Sequence, residues 1–207
     1  MARRVHLSVV ATTALAGLGA MALAEPPPVP SAIPPWSPIP YQAIYETGDA
    51  WIAGGTRYRL YGVQSCLRGA VFTNSYGVKR DCGEASLAVL ASLVRDLKPL
   101  CHEVAFLAET KTAFVFCFAN LEQGPARGAR IDLGTALITM GWGYAALGSD
   151  GRAIHPPYAM AERLAKGAHA GLWAFRDAPN PKDSIHRAYE DAHGAAPAVS
   201  GSGGGAP

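Results

Sequence analysis

Between Thr56 and Val63 polar and apolar positions alternate: Thr56, Tyr58, Leu60 and Gly62 fall on one face, Arg57, Arg59, Tyr61 and Val63 on the other. A β-rich run, Tyr45 to Ile52, precedes the pair Gly54-Gly55, and the three pieces predict a hairpin. From Gly83 to Leu97 the period changes, with Leu87, Leu90, Val94 and Leu97 at helical spacing before Pro99. Val104–Leu107 and Ala113–Phe118 are strand-like runs around a Glu109–Thr112 turn. Asp132 is placed to cap a second helix over 133–140. Pro156 or Pro157 opens a third helix, with Met160, Leu164 and Ala168 predicted on its buried face and Trp173 closing it. The apolar and aromatic positions read as core.

The two ends carry no such pattern. Arg3 and Arg4, an apolar run from Leu7 to Leu23 and the small-x-small sequence Ala22-Leu23-Ala24 predict an export signal over 1–24, with a membrane anchor as the alternative. The paired arginines also suggest the twin-arginine route. Residues 26–40 hold eight prolines, so 25–40 reads as an extended linker rather than a ligand for a proline-binding module. The tail 179–207 ends in Gly, Ala, Ser, Pro and Val, too little to fold.

Charge limits the partners. The 207 residues include 18 basic and 16 acidic side chains, and removal of 1–24 takes Arg3 and Arg4, leaving 16 of each. A chain gripping nucleic acid through phosphates usually carries a basic excess; nucleic acid stays possible only through a local patch. No membrane contact is expected once the signal is gone. Cys66, Cys82, Cys101 and Cys117 form an even set in a chain expected to meet an oxidising compartment. Of the three pairings, Cys66–Cys82 and Cys101–Cys117 are favoured, the first tying the Arg59 strand to the first helix and the second tying a hairpin. A zinc site would be the alternative, without any Cys-x-x-Cys pair.

Taken in order, Thr47-Gly48-Asp49-Ala50, Arg59-Leu60-Tyr61-Gly62-Val63-Gln64-Ser65-Cys66-Leu67, Cys82-Gly83-Glu84-Ala85, Asp132 to Ile138, Gly141-Trp142-Gly143-Tyr144-Ala145, Ala161 to Ala165 and Gly171 to Ala174 resemble a thermonuclease (staphylococcal nuclease-like) domain over 41–178. The resemblance implies an α+β fold, a five-stranded OB-fold-like β-barrel with about three packed helices. It also implies calcium-dependent phosphodiester cleavage, for which calcium needs carboxylates, a base must hold the water, and two arginines must grip the phosphate.

This chain departs from that pattern. Asp49 stands at one metal carboxylate and Arg59 at one phosphate arginine. Gln64 replaces the second carboxylate, Leu67 the base, Ala50 the threonine after the first Asp, and Thr112 the second arginine, with Lys111 beside it. No acid lies between Cys66 and Arg80, leaving Glu46 and Glu109 as the nearest replacement bases. Groups that act as a unit leave little activity when several are gone. The expectation is therefore a secreted or periplasmic pseudoenzyme that binds an envelope or extracellular partner. It carries no cofactor; calcium (Ca2+) enters only if the alternative, an active DNA/RNA endonuclease with relocated acids, holds. His155, His169, His186 and His193 lack metal-ligand spacing, and the loop from Gly124 to Arg130 lacks the strand–glycine–helix context of a phosphate loop.

Overall fold

The computed structural model describes residues 35–183. The expected export signal, the first part of the proline-rich stretch and the tail from 184 onward lie outside the described residues. The class is α+β: a strongly curled mixed sheet forming a half-barrel, with helices packed against it.

The strands are β1 (Ser37–Pro38), β2 (Ile44–Thr47), β3 (Ala50–Ala53), β4 (Thr56–Leu60), β5 (Val63–Gln64), β6 (Val71–Thr73) and β7 (Lys79–Asp81). Helix α1 (Cys82–Leu97) follows, then β8 (Leu100–Leu107), β9 (Thr112–Asn120), β10 (Arg130–Asp132), α2 (Leu133–Thr139), β11 (Tyr144–Ala145) and α3 (Pro156–Gly167), with a 3-10 turn over Gly171–Ala174. The main sheet has seven strands in the order β1-β8-β9-β4-β3-β2, with β10 also on β9. β4 and β9 run parallel, because α1 and β8 intervene between them. β5 pairs with β11 and β6 with β7 as separate ribbons. Ser37 pairs with Cys101 and Pro38 with Leu100, so the last turn of the proline-rich stretch adds a strand to the sheet edge.

One core fills the concave face around Trp51, Leu60, Val115, Leu133 and Leu137. A smaller cluster gathers Cys66, Phe72, Cys82, Tyr144 and Leu172. Each contains one expected disulfide whole: Cys66–Cys82 and Cys101–Cys117 both form, which removes the zinc alternative. Each closes a loop of about 15 residues, worth roughly 3 kcal/mol in the chain-entropy model.

Two expected faces are corrected. Val63 does not continue the arginine row of β4; Gly62 adopts φ 72° and turns Val63 into the core. A Cβ there would be strained, and would also meet the Cβ of His155 at 2.8 Å. Helix α3 buries Tyr158, Ala161 and Ala165, while Met160, Leu164 and Ala168 are exposed. The small alanines let α3 approach α2, and Tyr158 donates a 2.7 Å hydrogen bond to the Asp132 carboxylate that caps α2. Burial pushes the Tyr158 phenol strongly upward, Asp132 adding to the shift. Asp132 is the cap expected from the sequence; its Oδ2 accepts from the Thr135 amide at 2.7 Å. Asp81 caps α1, accepting from Glu84 N at 2.9 Å and Gly69 N at 2.7 Å, and these amides, led by that of Glu84, hold its carboxyl below the usual carboxylate range.

Candidate functional site

Asp49 sits in the turn between β2 and β3. The register Ala50↔Arg59 lays the outward side chain of Arg59 beside it. β5, held by the pairing Gln64↔Tyr144, carries Gln64 to the same place. The structure thus brings together Asp49, Arg59 and Gln64, residues 15 positions apart at most.

The geometry is closed. Asp49 is only 2% exposed. Its Oδ2 accepts from Arg59 Nε at 2.9 Å. Its Oδ1 accepts from the hydroxyls of Thr47 at 2.7 Å and Ser65 at 2.6 Å. Arg59 donates from a terminal nitrogen to Gln64 Oε1 at 2.7 Å, and Gln64 Nε2 donates to the Ser65 carbonyl at 3.0 Å. A buried carboxylate is tolerated only when its lone pairs and its charge are met, and here two hydroxyls and one guanidinium meet them. Thr47 and Ser65 were not singled out in the sequence. Their signal is local: a hydroxyl two positions before the Asp, and one directly after the Gln.

The remaining candidate positions fall elsewhere. Leu67 is half exposed and offers no proton acceptor. Thr112 is buried at the start of β9, paired in register with Arg57, and its hydroxyl accepts from Thr110 at 2.9 Å. Glu46 is held by both donors of Arg57, at 2.6 and 2.9 Å, which raises the Arg57 pKa further. Glu109 lies exposed in the turn between β8 and β9. Neither acid is brought to Asp49 by any of these contacts.

A divalent cation does not fit this arrangement. Calcium prefers several oxygens with at least two carboxylates. Here one carboxylate is present, and the oxygens of Asp49 and Gln64 that a cation would use both accept from Arg59. Among the described residues no group of three His, Cys, Asp or Glu side chains is placed to hold a metal ion. Nor is any helix of the described residues long and apolar enough to cross a membrane. What the cluster does chemically is to join β2, β4 and β5 through one partly buried charge pair. No protein-family model matches this chain, and no curated protein matches it either.

Proposed function

We propose that this chain is an exported thermonuclease-like domain of the OB-barrel type whose nuclease site has degenerated, and that it acts as a binding or interaction module outside the cytoplasm. The observation that carries the reading is the mutual neutralisation of Asp49 and Arg59. The carboxylate that would hold the metal and the guanidinium that would hold the phosphate are hydrogen-bonded to each other at 2.9 Å. A phosphate that took over the Nε of Arg59 would leave the Asp49 carboxylate without its countercharge in a nearly closed site, and one on the remaining N–H groups would lie beside that carboxylate. Leu67, at the position of the base, supplies no way to activate water. The two disulfides fit an oxidising compartment.

The test is turnover of single-stranded DNA and RNA with added calcium, comparing the unmodified protein with Asp49→Asn. Equal, background-level rates are expected. Calcium-dependent cleavage that disappears in Asp49→Asn would overturn the reading and favour a working phosphodiesterase with a relocated acid.

A further inference from the structure

The sheet also carries a second feature, remote from Asp49. The register Arg59↔Phe114 places Phe114, Phe116 and Phe118 in one outward row of β9. That row ends at an open groove of about 900 Å³ between the end of α1, the start of β8 and the end of β9. Its apolar walls are Trp36, Leu97, Leu100, Phe118 and Leu121. Trp36 is 43% and Leu100 46% exposed, so two large apolar side chains face water there.

The charges of the groove are unequal in a useful way. Asp96 is paired with Arg95 at 2.7 Å. Glu122 shares the groove lining with Lys98 and Arg130, and neither of those cations enters an ion pair among the described residues. Arg130 is nevertheless held in place. Its Cζ lies 4.5 Å from the Phe118 ring centre and 5.1 Å from that of Trp36. Trp36 is in turn fixed by stacking on His102 at 5.1 Å. A guanidinium resting on rings is oriented without using up its N–H donors, which suits it to take an oxyanion through two parallel hydrogen bonds. The volume falls in the range of small-molecule sites.

We propose that this groove binds an amphiphile with a small oxyanion head, carboxylate or phosphate, on an apolar body. The head sits on Arg130 with Lys98 nearby, and the body lies along Leu97, Leu100, Leu121 and the two rings. Decanoate, decyl phosphate and decanol, all below their micellar concentrations, are titrated into the isotopically labelled, oxidised protein, and amide shifts are followed. At least one anionic probe is expected to move Leu97–Leu100, Phe118–Leu121 and Arg130 saturably, with decanol about tenfold weaker or more. Binding of decanoate alone identifies a carboxylate ligand, of decyl phosphate alone a phosphate, and of both a site that reads the oxyanion. Arg130→Gln should weaken the anionic probe by about tenfold or more, leave decanol unchanged and keep the melting temperature. Arg152→Gln, on the loop between β11 and α3, should change none of these. The proposal falls if decanol binds as well as the anions, if Arg130→Gln leaves anion binding intact, if the shifts lie elsewhere, or if neither anion binds.

Discussion

Arg59 and Arg130 both stand on the outer side of the same sheet, and they are occupied in opposite ways. Arg59 commits Nε to Asp49 and a terminal nitrogen to Gln64, so its charge and two of its N–H groups are already engaged within the fold. Arg130 rests on Trp36 and Phe118, which engage its faces and leave its edge. Residue type therefore says little about ligand capacity; what matters is whether the protein itself has supplied the acceptors. An arginine paired with a buried carboxylate becomes part of the scaffold, whereas one supported by aromatic rings keeps its hydrogen-bonding capacity for something else.

The sharpest way to break this comparison is to remove the carboxylate. Asp49→Ala leaves the Thr47 and Ser65 hydroxyls and the Arg59 guanidinium without their acceptor, and should cost about 3 kcal/mol in urea unfolding. Arg130→Gln should cost less than about 0.5 kcal/mol in the same measurement. Similar losses from both would mean that Arg130 is as structural as Arg59. A smaller effect separates the surroundings of the two arginines. At Gly48, beside Asp49, an added Cβ would meet the Cβ of Ser86 at 2.6 Å and its backbone carbon at 2.8 Å. Gly48→Ala should therefore lower stability by about 1–3 kcal/mol through overpacking. Gly124, in the loop that follows the groove wall, has φ 80° and nothing near its side-chain position. Gly124→Ala should cost only the backbone strain, about 1 kcal/mol, and thermal melts of the two variants decide the order.

A last, modest effect concerns α1, which links the regions: Ser86 near its start backs the Asp49 turn, and Leu97 at its end lines the groove, about 16 Å further along the axis. Its cap, Asp81, has a folded carboxyl pKa lowered by amide hydrogen bonds, so its stabilisation is present above the unfolded carboxylate value and is lost as pH falls through the folded one. Asp81→Ala should cost about 1 kcal/mol at pH 7, and its gap to the unmodified protein should begin to narrow below about pH 4 and close only beneath the lowered folded value. A gap that persists in acid would show that the cap acts without its charge.

Asp49, Arg59 and Gln64 are singled out by the order of motifs that resembles a thermonuclease domain; hairpin register accounts for the meeting of Asp49 and Arg59, and the pairing with Tyr144 for that of Gln64. The two disulfides were legible for a related reason, since each joins neighbouring elements. The groove was not, because Trp36, Leu97, Phe118 and Arg130 come from four separate parts of the chain and share no motif. The buried face of α3 was misjudged because Met160 and Leu164 look like better core residues than Ala161 and Ala165. Close helix packing rewarded small side chains over large ones, and Tyr158 filled the remaining space. Val63 was misplaced because the period-two pattern cannot register a glycine with φ 72° immediately before it.

The cluster around Cys66 and Tyr144 also has a bearing on the order in which the molecule can be completed. Tyr144 donates to the Pro179 carbonyl at 3.1 Å, and that oxygen lies 3.8 Å from Cys66 Sγ, 113 positions earlier in the chain. Lys182 adds a pair to Glu162 at 2.6 Å, and Glu162 in turn accepts from the Ala145 amide at 2.7 Å. On a chain appearing amino end first, the Asp49–Arg59 pair and its Thr47 and Ser65 hydroxyls lie within residues 47–65 and can meet before β11 pairs with β5. The Cys66 corner must wait for Pro179, so until then the first disulfide sits beneath an unfinished cover, and the stretch from Pro179 to Lys182 works as a clasp over it.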